Sequence, residues 1–367
     1  MPMTKKISYA SSGVKYELLD PIKKLAQKKA LSTKNLLAPF REITASRGES
    51  AYVWDEGKSY KAFVIEGLGT KNLVADEMEK LTGKTFYEAI AQDTVAMIVN
   101  DLLVVGAKPQ VINAYFAVGD SEWMSNQKRS EALIKGWAKA CQLSGATWGG
   151  GETPTLKGVI NPDTIDLGGA CVGIINPKKR LCLGDKLTAG DRIILIESNG
   201  IHANGLTLAR MIAGKLKQSY LTPLSDGKKY GEALLAPTHI YAKLVQSVYD
   251  QNILPHYMVN ITGHGWRKLM RAKQSFTYQL DQVPPVSPLF QFLKEQSGND
   301  DKEMYGNFNM GAGFALFIAK KDVSKVLETA KKLKIKAWDA GEVKNGPKQV
   351  VIRPLNIVYT EKELEVR

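Results

Sequence analysis

The stretch VIEGLGTKN, residues 64–72, runs an apolar segment into two glycines and then Thr70 and Lys71, with Glu66 at the turn. These are the residue types of a phosphate turn. Glycine lets backbone N–H groups approach an anion, and lysine supplies charge. The spacing G-x-x-x-x-G-K-[ST] is absent, because Gly67 and Gly69 are two apart and Thr70 precedes Lys71. The third glycine of the dinucleotide fingerprint is also missing. A tight turn needing positive φ is the plain alternative.

Further acids and histidines recur next to glycine. QDTVAMIVNDLL carries Asp93, Asn100 and Asp101. On a helix, Asp93 and Asn100 lie about two turns apart and share a face. Asp101 falls in the last turn, where a carboxylate opposes the helix dipole. That placement suggests a ligand, and Mg2+ takes hard oxygens of this kind. WGGGETPT sets three glycines before Glu152 and Thr153. The run either aims backbone amides at a metal or amine beside Glu152, or is a flexible loop. SNGIHANG holds His202 between two Asn-Gly pairs in a loop opening a helix. A histidine there is expected to be more exposed than one on an apolar face, and able to serve as acid, base or phosphate ligand. ITGHGWRKL reads as strand, glycine turn and helix, an anion cradle with His264, Arg267 and Lys268 nearby. His239, in APTHIYAK, and His256, near a strand start, read as structural.

The elements that must position these residues follow from periodicity. SGVKYELLDPIKKLAQKKALS reads as a helix broken near Pro21, and AYVWDEG with YKAFVIEG as two strands joined by a turn. TFYEAIAQDTVAMIVNDLLVVGAKP is a helix ended by Gly106 and Pro109. QVINAYFAVG and TIDLGGACVGIIN are strands around an amphipathic helix stopped by Gly145. LTAGDRIILIESNG looks like a fresh start, so the domain boundary is placed near residue 180. Residues 1–180 form one domain and 181–367 the other. ALLAPTHIYAKLVQSVYDQ reads as one helix, and MGAGFALFIAKKDVSKVLETAKKLKIKAWDAGEV as strand, helix, strand. Both halves mix strands and helices, which predicts a two-domain α/β or α+β chain.

Composition narrows the partners. The 367 residues carry a formal net charge of +13. The lysines are scattered at helical spacing without interleaved aromatics, so a nucleic-acid partner is not expected. Three cysteines, Cys141, Cys171 and Cys182, offer neither a disulfide framework nor a metal spacing. They read as buried, reduced thiols of a cytoplasmic protein. The N-terminus lacks an apolar leader segment, and no apolar run approaches the roughly 20 residues of a membrane span.

Taken in order, EGLGTK, QDTVAMIVNDLLVVGAKP, GGGET, GIHANGLTLAR, LLAPTHIY, NITGHG and EMYGNFNMGAGF resemble the aminoimidazole ribonucleotide synthetase family. The family is also called phosphoribosylformylglycinamidine cyclo-ligase. The likeness runs from SYASSGV to about DAGEV. It implies two α/β domains, with the N-terminal domains of two subunits pairing their sheets into a shared β-barrel, hence a homodimer. It implies a ligase of purine biosynthesis using ATP and Mg2+. ATP phosphorylates the amide oxygen of formylglycinamidine ribonucleotide, a substrate nitrogen attacks, and phosphate departs. By motif position, Gly67, Gly69, Thr70 and Lys71 would line the triphosphate, with Asn100 beside them. Asp93 and Asp101, with Glu66, would hold the metal. Gly150, Gly151, Glu152 and Thr153 would face the substrate, and Thr262 and Gly263 its phosphate. His202 and Asn204 lie in the loop where the superfamily keeps a histidine near the reacting group.

The chain departs from the family pattern at Glu66, usually aspartate, and at His264, inserted in a triple-glycine turn. Lys15 stands where an acid is common, and LLAPFREITASRGES replaces a glycine-rich flap. These departures keep two alternatives in view: an ATP-dependent paralogue with another substrate, and a dimer without turnover.

Overall fold

The computed structural model describes residues 16–364. SYASSGV and Lys15 therefore lie outside the described residues. Helix α1, Tyr16–Leu31, runs through Pro21 without the expected break. Proline removes a ladder bond there, but near a helix start that loss is small.

The first half builds a six-stranded sheet from β1 (Arg41–Glu42), β2 (Tyr52–Asp55), β3 (Tyr60–Gly67), β4 (Lys108–Val118), β5 (Thr147–Glu152) and β6 (Ile165–Ile175). Its order is β1-β2-β3-β6-β4-β5, antiparallel except for the β4–β5 edge. Helices α2 (Lys71–Thr82), α3 (Tyr87–Leu103) and α4 (Gln127–Ser144) complete this half. Glycines in β6 let α3 press onto the sheet: a Cβ at Gly169 would sit 2.3 Å from the Asn113 carbonyl and 3.0 Å from Ile98 Cδ1.

The second half contributes β7 (Arg192–Glu197), α5 (Leu206–Ala213), α6 (Tyr230–Leu234), α7 (Ala242–Asp250), β8 (Tyr257–Asn260), β9 (Thr277–Leu280), α8 (Pro288–Ser297) and α9 (Asp301–Asn307). It ends with β10 (Ala312–Ile318), α10 (Val323–Lys332), β11 (Ala337–Lys344), β12 (Gln349–Ile352) and β13 (Ile357–Thr360). The seven-stranded sheet has the order β13-β12-β9-β11-β7-β10-β8, and only β12–β9 is parallel. Every residue of β10 is buried.

Helix α3 is the joint. Fourteen of its 17 residues are buried, including Asp93, Asn100 and Asp101. A helix covered all round must lie between packed layers. One face lies on β3 and β6, and another meets α7 and β8.

Three expected elements differ. ALLAPTHIYAKLVQSVYDQ is not one helix: α6 ends at Leu234 and α7 starts at Ala242. Pro237 disfavours helical backbone at Ala236, and side chains of the first half take the freed backbone groups between them. ITGHGWRKL follows its strand with a 3-10 turn, Gly265–Met270, rather than an α-helix. The triple glycine of WGGGET is edge strand β5, not a loop. Among the described residues no helix is long and apolar enough to cross a membrane. The three cysteines are buried free thiols, and burial pushes Cys141 up to about 11 and Cys171 to about 12.

Candidate active site

Strand β3 alternates. Ala62 and Val64 are buried against α3, whereas Phe63 and Ile65 face outward. Glu66 continues the inner set and meets Asp101 in the last turn of α3. The two carboxyls lie close enough to perturb each other. Burial pushes the Glu66 carboxyl up from 4.5 to about 7, the Asp101 charge adds to the rise, and the Lys268 ammonium opposes it. Two carboxyls this close in a partly buried site do not both ionise cheaply, which favours the protonated form of Glu66.

The second half closes over this pair. Asn260, at the end of β8, donates its amide to Asp101 Oδ1 at 2.7 Å. Lys268 donates to the Thr262 hydroxyl at 2.5 Å. Burial pulls Lys268 down to about 8, against the attraction of Asp101. His264 has a left-handed backbone, φ +69. It is pulled down to about 3 by burial, then by Arg267 and Lys268. It is therefore neutral at pH 7. Gly263 donates its N–H to Asn204 Oδ1 at 3.1 Å. Glu66, Asp101, Asn204, Thr262 and Gly263 thus converge, together with Asn260 and Lys268.

The glycine turn precedes α2. Gly69 has φ +76, with open space on its Cβ side. Thr70 is the N-cap residue and makes no side-chain cap bond, and the first turn of α2 has no acid. Such an N-terminus accommodates an anion.

Three expected ligands are used otherwise. Lys71 is fully buried and pairs with Asp93 at 2.8 Å. It also donates to the Ala236 carbonyl at 2.8 Å. Burial pushes Asp93 up and Lys71 down, each charge opposing the other's shift. With no solvent-facing surface, Lys71 does not line a triphosphate here and Asp93 does not face a metal. Asn100 spans the halves, donating to the His239 carbonyl at 2.8 Å and accepting from Tyr241 N–H at 3.0 Å. His239, read as a helical residue, lies in the segment these bonds hold.

His202 is the other correction. It is 1 % exposed rather than presented in an open loop, because its ring packs on Gly313, where a Cβ would lie 2.3 Å from Cε1. Burial, then His239 and Lys71, hold its imidazole well below the ordinary value. Gly150, Gly151, Glu152 and Thr153 are exposed at the β5 edge and share no hydrogen bond or ion pair with the carboxyl pair. Tyr115, the register partner of Glu152, lines a groove of about 420 Å³ with Glu66, Gly67 and Asp166. In the sheet, β6 and β4 separate β5 from Glu66 on β3.

A cavity of about 680 Å³ lies in the second half between Glu197, Phe290, Lys336 and Trp338. It contains none of the expected site residues, so volume and charge point to different places. The buried, mutually perturbing charges mark the chemistry better. Sequence reasoning misses Asn260, for which an asparagine ending an all-buried strand is the available signal.

Comparison with known proteins bears on the family and the fold. Residues 48–175 match the family described as AIR synthase related protein, N-terminal domain, and residues 188–353 its C-terminal domain. Phosphoribosylformylglycinamidine cyclo-ligase of Methanosarcina barkeri is 34 % identical over 326 residues, covering 88 % of this chain and 91 % of that protein. The enzyme of that name from Carboxydothermus hydrogenoformans is 36 % identical over 295 residues, 78 % and 81 % of the two chains. Among solved structures, a HypE–HypF complex superposes with a TM-score of 0.59 at 17 % identity, covering 85 % of this chain and 92 % of that one. A ThiL complexed with AMPPCP and TMP gives 0.58 at 15 % identity, covering 89 % and 93 %. These two likenesses concern the fold.

Proposed function

The chain belongs to the AIR synthase related family, and on that premise we propose that it closes the imidazole ring of formylglycinamidine ribonucleotide, driven by ATP. It is a cyclo-ligase of purine biosynthesis, as its curated relatives are named. The observation that carries the reading is the facing Glu66–Asp101 pair, set beside Lys268 and Thr262 where the two halves meet.

Glu66 and Asp101 fit Mg2+. That ion is commonly held by one or two carboxylates, with water and substrate phosphates completing its shell. Among the described residues no group of three or more His, Cys, Asp or Glu could hold a metal alone, so phosphate oxygens would have to complete the site. When bound, ATP and Mg2+ supply the phosphoryl group that makes the amide oxygen a leaving group and the charge that steadies it.

The chain's own residues bind and orient. Gly67, Gly69 and Thr70 offer the start of α2 to the triphosphate. Thr262 and Lys268 hold the substrate phosphate. The Gly263 N–H is already given to Asn204, which fixes the turn. Gly150, Gly151, Glu152 and Thr153 form the substrate-facing edge beyond the Tyr115 groove. His202 moves a proton near the reacting group.

The working unit is a homodimer in the cytoplasm, with division of the chain near residue 180. Phe63, Ile65 and Val111 support the dimer, since they expose an apolar patch on the outer face of the first sheet. Appearance of the product amine only when substrate, ATP and Mg2+ are all present tests the assignment.

A further inference from the structure

Between α6 and α7, residues 236–241 form a strap whose backbone is held by side chains from the first half. Lys71 directly follows the Gly67–Thr70 turn and donates to Asp93 Oδ1 and to the Ala236 carbonyl. The same Asp93 oxygen accepts the Thr238 N–H at 2.8 Å and the Thr238 hydroxyl. Gln92 donates to the Thr238 carbonyl at 2.9 Å, and Asn100 holds His239 and Tyr241. Tyr241 donates to the Glu197 carbonyl at 2.8 Å, and its ring centroid lies 6.4 Å from that of His202. One end of the strap is tied to the glycine turn and the other abuts the histidine.

Two buried atoms beside the strap have no hydrogen-bond partner. Three donors crowd onto Asp93 Oδ1 while Oδ2 has none, and His202 Nε2 has none. Asp93 is 0 % exposed and His202 1 %. Unpartnered buried polar atoms are costly and rare. His202 also holds a left-handed backbone, φ +60, uncommon outside glycine. Strain and unpartnered polar atoms of this kind are where a protein keeps a second arrangement in reach.

We propose that Lys71, Asp93 and Thr238 are positioning residues. Nucleotide at the glycine turn shifts Lys71, and the strap passes that shift through Tyr241 to His202, setting the imidazole for the reaction. The inference rests on the assignment of ATP to the Gly67–Thr70 turn.

The test uses the full chain with Thr238→Val, which deletes the hydroxyl donor at constant shape, and Thr238→Ser, which restores it. Amide hydrogen exchange across residues 236–241 is followed with and without AMPPCP and Mg2+, beside steady-state kinetics. In the unaltered protein the analogue should change exchange at the strap about tenfold. Thr238→Val should lose that response and lower kcat about tenfold, while KM for ATP stays within about twofold. Thr238→Ser should recover both. A folded Thr238→Val with unaltered kcat, or a strap whose exchange ignores bound AMPPCP, would overturn the proposal. If the unaltered chain makes no amine, the ring-closure reading fails, while the exchange response still decides the relay.

Discussion

Glu66 on β3 and Asp101 on α3 face each other, and the Asp101 charge helps to raise the Glu66 carboxyl. The pair ties the first sheet, the helix between the layers and, through Asn260, the second sheet.

Asp101→Asn should lower kcat/KM at least about a hundredfold, since it removes the charge proposed to face the metal. It retains an acceptor for Asn260, so the melting temperature should fall by no more than a few degrees, roughly the worth of one altered hydrogen bond. His202→Ala should also cut turnover. Full activity in both variants would remove these residues from the site.

Glu66 gives a pH signature. Its folded value, about 7, lies above the ordinary 4.5. Its contribution to stability is therefore present below pH 4.5 and is lost as pH rises through about 7. The size is up to about 3 kcal/mol, at roughly 1.4 kcal/mol for each tenfold change in proton affinity. Melting curves from pH 5 to 8 should show the unaltered chain losing stability relative to Glu66→Gln. A protonated Glu66 does not ligate a cation, so Mg2+ affinity should weaken below pH 7.

The helical period of α3 is legible in the sequence, and so is the shared face of Asp93 and Asn100. What that face meets is not. Thr238 lies 145 residues along the chain from Asp93, and local pattern says nothing of a contact so distant. Acids on a buried face suit a metal, a lysine or a backbone amide equally well in sequence. The tertiary fold settles on Lys71 and the strap. Pro237 is a visible sign that APTHIYAK is not helix throughout. The burial of His202 is hidden, because Gly313, which admits its ring, is remote in sequence. Glu66 and Asp101 can be read because strand alternation and helix register both turn them inward.

The Lys71–Asp93 pair should behave as structure. Asp93→Asn or Lys71→Met leaves one buried charge alone, and should destabilise the chain by about 3–5 kcal/mol. Urea unfolding measures this. A phosphate-binding lysine would instead lower ATP affinity with little change in stability.

The outer face of the first sheet should carry the dimer. Ile65 is 71 % exposed, and Ile65→Glu would place a charge in the apolar patch. Light scattering should then show a dimer for the unaltered chain and a monomer for the variant. A dimer unaffected by the change would put the interface elsewhere.

Phosphate release from ATP and Mg2+, with and without formylglycinamidine ribonucleotide, tests the central claim most directly. Substrate-dependent release, with one amine formed per phosphate, is the predicted result. ATP that binds but yields no substrate-dependent phosphate would contradict it.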